Sequence, residues 1–537
     1  MNNRDRFSAA TERICRFHRE LTVNAVTFTD CGTRPDRTPF CPELFRVKQG
    51  YDFFEFGISA PHDVYLTETE NSLATGNPLY GAMYPPARKI IRQMCETPEL
   101  SKYPLRNGDP ESKDIILDYL KQSGFCGEMH EENVGFAFST THAFAALIKL
   151  IVQPGDVVLF TAPTYGIFAF IPEREGGITK FLQLREEDDW QISPAALKAR
   201  IRGLNEELQH SPYKTETHTP CVVAFFQSNP CNPTGRVMGK HDTARMQEIL
   251  DICRAEGVLY IDDLIYRDLG YDRENPAVPM ASLDGDHSNV VSLLGISKAY
   301  GAAGLRAGII VANEIIIAGV RNYIAWNTDS TSWLNMKVLA SVYNAGAENQ
   351  QAYQAYFSQI MADYRDRLNI VRCITDGLDT VPQTEQPRTR ELIAAGRSKA
   401  EAAALLQGTK GMQVLPGGVP GAGFFALLDF RALAGKTCDG ITVTDDLSLV
   451  RYLYHRYRLK LLPGRAMGMQ DPQHIIARVS FSMEIPELIA RMCLLKEEAE
   501  RLYDCEERNQ QAAEPARAAR RCRKGTDDDA AAGKADC

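Results

Sequence analysis

Ser297-Lys298-Ala299-Tyr300-Gly301-Ala302-Ala303-Gly304-Leu305-Arg306-Ala307-Gly308 links two short apolar runs, Val290–Leu294 and Gly308–Val311. The runs have the length of buried strands, and the stretch between them reads as a loop. A lysine or an arginine on a turn is ordinarily solvated. Here glycines at 301, 304 and 308 let the backbone approach something closely. A lysine desolvated in such a place loses its proton readily and can attack an aldehyde.

The same pattern extends upstream. Helix-like segments (Ala87–Cys95, Asp114–Gln122, Thr141–Ile151, Asp242–Ala255) alternate with apolar runs (Val134–Phe138, Val157–Phe160, Val222–Phe226, Val258–Ile261). Apolar runs of about 4–8 residues between helices predict buried parallel strands. A mostly parallel sheet covered by helices on both faces is an α/β domain, expected over residues 85–345. Residues 346–504 read as a smaller α+β domain. It has long helices (Gln351–Leu378, Pro486–Tyr503) and a few strands (Phe424–Asp429, Leu459–Leu462, Ala477–Phe481). Residues 384–412 look like a polar, Ala-rich helical insertion, and residues 1–84 are expected to contribute to the smaller domain. The tail 505–537 has almost no large apolar side chains and is expected to be disordered.

The bulk numbers exclude some functions. A chain of 537 residues, 44% apolar, can bury a large core and form two domains. A net charge of −9 is the opposite of a nucleic-acid footprint. The 14 cysteines include no Cys-x-x-Cys pair, and Met1–Arg19 is polar. No apolar run approaches the roughly 20 residues that span a bilayer. These features predict reduced cysteines and a cytoplasmic protein without a membrane partner.

Three further stretches follow apolar runs. Ser228-Asn229-Pro230-Cys231-Asn232-Pro233-Thr234-Gly235 has two Asn-Pro steps, which force a rigid turn but leave Asn232 unexplained. Tyr260-Ile261-Asp262-Asp263-Leu264-Ile265-Tyr266 puts two carboxylates at a strand end, where open α/β sheets bind ligands; helix capping would also account for either. Ser139-Thr140-Thr141-His142 opens a helix whose free N–H groups could meet a phosphate, or be plainly capped.

Taken together, in this order and spacing, the four stretches resemble the aspartate-aminotransferase-like family of pyridoxal-phosphate enzymes (fold type I, class I/II aminotransferases). The resemblance covers roughly residues 50–500. It implies an internal aldimine on Lys298 and a pyridinium partner in Asp263. Asp263 is preferred to Asp262 because Tyr266 lies three residues after it. Tyr266 and Asn232 would donate to the ring oxygen, and Tyr165 would stack on the ring. Ser139, Thr140, Thr141 and Arg306 would line the phosphate site, and Ser297 would also bind the cofactor. Tyr103 would reach the phosphate of a neighbouring subunit, implying a homodimer with shared active sites. Arg478 would grip the substrate carboxylate, with Gly57 and Asn232 on the substrate side.

The implied activity is ping-pong transfer of an amino group from an amino acid to a 2-oxo acid. Elimination, decarboxylation or chemistry like that of 1-aminocyclopropane-1-carboxylate synthases is the alternative on the same fold. A regulator fused to a DNA-binding module would need a basic helix-turn-helix, which residues 1–84 do not show. The chain departs from the family pattern at Gly295, where many members carry a serine, at His142 and at Ser112-Lys113.

Overall fold

A computed structural model describes residues 71–79, 83–285, 287–471 and 473–505. Gly57, the aromatic run at 51–56 and the tail beyond residue 505 lie outside the described residues.

Successive side chains of a strand point to opposite faces, so a strand that is apolar throughout needs cover on both. Seven strands form one sheet, and all but β3 are buried along their whole length: β1 (Val134–Ala137), β2 (Val157–Ala162), β3 (Ile178–Gln183), β4 (Val222–Ser228), β5 (Leu259–Asp263), β6 (Val290–Gly295) and β7 (Gly308–Val311). Their order is β1-β7-β6-β5-β4-β2-β3. The first helices are α1 (Pro85–Met94), α2 (Pro110–Gln122), α3 (Thr140–Ile151), α4 (Gly166–Arg174), α5 (Pro194–Leu208), α6 (Thr243–Ala255), α7 (Glu314–Thr328) and α8 (Trp333–Val342). On one face, Phe144 of α3, Phe168 of α4 and Val320 of α7 share a buried core with Phe160, Phe226 and Ile261 of the sheet. On the other, Leu197 and Ile201 of α5 and Met246 and Ile249 of α6 join Leu159, Phe225 and Tyr260.

Two strand expectations change. The run Gly308–Val311 forms β7, but antiparallel to both β6 and β1. The reason is the connection: residues 296–307 hold one 3-10 turn, Ala303–Leu305, and no helix to carry the chain back across the sheet. β3 was not anticipated because it lies at the sheet edge and is mostly half-buried, so it has no continuous apolar run.

A second, antiparallel sheet contains β8 (Gln413–Val414), β9 (Phe425–Asp429), β10 (Leu462–Pro463) and β11 (Ile476–Ser480), with β11 between β10 and β9. Around it lie α9 (Ala347–Asp376), α12 (Asp446–Tyr457) and α13 over 485–505, with α10 (Gln386–Ala394) and α11 (Lys399–Leu405) in the Ala-rich insertion. The segment at 71–74 is tied to this sheet: Leu73 N–H donates to Lys460 O (2.8 Å) and Ser480 N–H to Leu73 O (2.6 Å).

The expectation of reduced cysteines is corrected at one place. Cys438 and Cys505 form a disulfide, 67 residues apart in sequence, a separation that no short motif signals. Among the described residues no helix is long and apolar enough to cross a membrane.

Candidate active site

The C-terminal ends of β1, β4, β5 and β6 open towards the second sheet. There a cavity of about 550 Å3 is lined by Ser139, Thr140, Thr141, Tyr165, Asn232, Asp263, Tyr266, Ser297, Lys298, Arg306 and Arg478. All these residues were anticipated from sequence. Tyr103 is not among them: it is 88% exposed on the outside of the molecule. Gly76 lines the same cavity, while Gly57, expected on the substrate side, lies outside the described residues. The Gly76 carbonyl accepts Lys298 Nζ–H at 2.7 Å, and a Cβ on Gly76 would lie 3.6 Å from Nζ. No periodicity marks Gly76 in the sequence; it sits in an irregular segment.

Each side chain is placed by its own element. Ser139 caps α3, its Oγ accepting His142 N–H at 3.0 Å. The first N–H groups of α3, on Thr140 and Thr141, therefore open at the cavity wall. Gly308 makes this possible. A Cβ there would lie 2.7 Å from Thr140 N and 2.8 Å from Ser139 C, so β7 could not pass the start of α3. Gly295 has a related reason. A Cβ at 295 would meet Thr140 Cγ2 at 2.9 Å and Ile265 Cδ1 at 2.7 Å. The methyl group of the branched Thr140 thus occupies the space that the side chain of the missing serine would need. His142 turns back on its own loop, with Nδ1 accepting Phe138 N–H at 3.3 Å. Lys113 is a local tie, donating to Glu131 O at 2.8 Å. Arg306 stands in the left-handed region (φ 52°), and Asn335 donates to its carbonyl at 2.9 Å.

Asp262 and Asp263 differ in where they point. Asp262 is fully buried and accepts Met280 N–H at 2.8 Å. Asp263 lines the cavity and accepts Ile265 N–H at 3.2 Å. Burial pushes the Asp263 carboxyl up to about 7, with Asp262 adding to the rise and Lys298 opposing it. Burial brings the Lys298 ammonium down to about 8, helped by the nearby Arg478 and Arg306 and opposed by Asp263. Burial also holds the Tyr266 hydroxyl well above its ordinary value.

Arg478 is buried on β11. Its Nη1 donates to Asn232 Oδ1 (3.2 Å), its Nη2 to Ala74 O (2.8 Å), and its guanidinium lies 4.2 Å from the Phe425 ring centre. Among the described residues its Nε has no hydrogen-bond partner. A buried guanidinium held only by neutral acceptors, with a donor left over, is a site for an anion. The cavity thus presents an amine, a buried carboxylate, a helix N-terminus beside an arginine, and a second arginine. That set fits pyridoxal phosphate together with a carboxylate substrate: the unpaired Nε and the cavity-facing carboxyl of Asp263 are the groups such occupants would satisfy.

Comparison with known proteins agrees with this donor set. A family model described as aminotransferase class I and II matches residues 70–489. A histidinol-phosphate aminotransferase of Mannheimia succiniciproducens is 27% identical over 225 residues, 42% of this chain and 54% of that protein. An LL-diaminopimelate aminotransferase of Nitratidesulfovibrio vulgaris is 22% identical over 346 residues, 63% of this chain and 82% of that protein. The chain spans about half the length of the histidinol-phosphate aminotransferases it matches (54% and 51%). In fold, the aspartate aminotransferase of Rhizobium meliloti superposes with a TM-score of 0.63 at 17% identity, covering 80% of this chain and 91% of that one.

Proposed function

The chain belongs to the aminotransferase class I and II family, and from that premise we propose that it is a pyridoxal-phosphate enzyme moving an amino group from an amino acid to a 2-oxo acid. The observation that carries this reading is the meeting of Lys298, Asp263 and Arg478 in one buried cavity.

When bound, pyridoxal phosphate supplies an electron-withdrawing ring that stabilises negative charge at the substrate Cα. The remaining work falls to the chain. Lys298, with its ammonium lowered to about 8, is partly neutral near physiological pH. Its Nζ would hold the cofactor's aldehyde carbon and, once freed, would take a proton from the substrate Cα and deliver it to that former aldehyde carbon, on the far side of the substrate nitrogen. Asp263 would face the ring nitrogen, and a cation there brings its carboxyl back down. Asn232 and Tyr266 would donate to the ring oxygen, and Tyr165 would cover one ring face. The α3 N-terminus and Arg306 would hold the phosphate, and Arg478 the substrate carboxylate through a planar fork. Tyr103 would reach the site of a second copy, which makes the working unit a homodimer.

The test is product analysis of the protein reconstituted with pyridoxal phosphate, over a panel of amino donors and 2-oxo acids. Equal yields of a new 2-oxo acid and a new amino acid, with parallel-line kinetics, are expected. Release of ammonia, carbon dioxide or a side-chain fragment without a new amino acid would replace transfer by bond cleavage.

A further inference from the structure

Beyond Arg478 the cavity has a wall that the groups assigned above do not use. The antiparallel register sets Leu462 of β10 directly opposite Arg478 of β11. Residues paired this way project from the same face of a sheet, so Leu462 lies beside the guanidinium. The Phe425 ring lies on the guanidinium itself. α4 starts with Gly166 and Ile167. A Cβ on Gly166 would collide with the carbonyl oxygen of Ala466. The first turn of α4 and the turn Gly464–Met467 therefore meet with no side chain between them. This brings Ile167, Leu462 and Ala466 into the lining of one cavity, and each is only half-buried.

The cation of that turn is engaged elsewhere. Arg465 is ion-paired through Nε to Asp446 (2.7 Å) and through Nη2 to Asp445 (2.9 Å). Among the described lining residues, the cations are Lys298, Arg306 and Arg478.

Resting on the amino-acid reading above, we infer that this wall receives the substrate side chain and that the preferred substrate has an apolar, uncharged side chain. Ile167, Leu462, Ala466 and Phe425 would lose water against an aliphatic or aromatic group. A second carboxylate placed there would lose its hydration without gaining a cationic partner among the described lining residues.

Titration calorimetry of the full-length, cofactor-loaded protein with 4-methylpentanoate and with succinate tests this. Both ligands carry one carboxylate for Arg478, and they differ only in an isopropyl group replacing the second carboxylate. The expected result is binding of 4-methylpentanoate at least about tenfold tighter than succinate, the scale on which apolar pockets discriminate. Leu462→Arg should narrow or reverse that ratio, and Ile167→Asp should weaken 4-methylpentanoate. Equal or tighter binding of succinate by the unaltered protein overturns the side-chain inference and leaves the aminotransferase reading standing. If the unaltered protein binds neither ligand, the carboxylate role of Arg478 falls, and the inference with it.

Discussion

At the scale of single residues, Lys298 and Asp263 are opposite charges that burial pushes towards neutrality. Lys298→Ala removes the amine on which the proposed proton transfer depends. Turnover is expected to fall by a factor on the order of a thousand or more, at unchanged secondary structure by circular dichroism. Asp263 makes a prediction that needs no substrate. Its folded value of about 7 lies above the ordinary 3.8, so the folded apoprotein binds this proton more tightly than the unfolded chain does. Stability is then lost as pH rises from about 4 to about 7, and the loss is complete above that window. Asp263→Asn removes the titration. The apo variant should be more stable than the apo parent at pH 8, by a few kcal/mol at most, and should lose that advantage near pH 4. Thermal melts of both proteins without cofactor at the two pH values decide it; an equal difference at both would dissociate Asp263 from the effect. Lys298 runs the other way. Its value of about 8 lies below the ordinary 10.5, so its cost is present below pH 8 and is relieved as pH climbs towards 10.5.

At the scale of elements, legibility followed burial. The central strands announced themselves because both of their faces are covered, which leaves uninterrupted apolar runs such as Val222–Phe226. The half-buried edge strand β3 left no such run, and the direction of β7 depended on its connection rather than on its own residues. Site residues that ended strands or opened helices were readable through their spacing. Gly76, Ala74, Ile167 and Leu462 were not, since tertiary packing alone brings them to the cavity. Gly295 looked like a lost phosphate ligand; in the fold it is the space that lets Thr140 stand at the end of β6. The α3–β7 contact gives a test at this scale. Gly308→Ala would push a methyl group against the backbone of Ser139 and Thr140, which cannot rotate away. The affinity for pyridoxal phosphate should drop on the order of tenfold, measured by equilibrium dialysis. An unchanged affinity would mean that the α3 N-terminus does not hold the phosphate.

At the scale of the whole molecule, the outer surface carries a signal that the cavity does not. Tyr103 (88%), Leu105 (58%) and Trp326 (82%) are large hydrophobic side chains left exposed. The chain segments that bear them are linked by the ion pair Arg106–Asp329 at 2.9 Å. Several large apolar side chains exposed in neighbouring segments are what an interface between copies requires. If Tyr103 works in the site of a second copy, its loss and the loss of Lys298 can be repaired between subunits. Tyr103→Ala and Lys298→Ala proteins, each of low activity, are mixed under conditions that exchange subunits. In a mixed dimer the site on the Tyr103→Ala subunit has its own Lys298 and receives the intact Tyr103 of its neighbour. The other site lacks both. Random exchange of equal amounts makes half of the dimers mixed, so activity should rise to about a quarter of the unaltered level. Were Tyr103 to act within its own subunit, every site would still lack one of the two residues and mixing would yield only the average of the two variants.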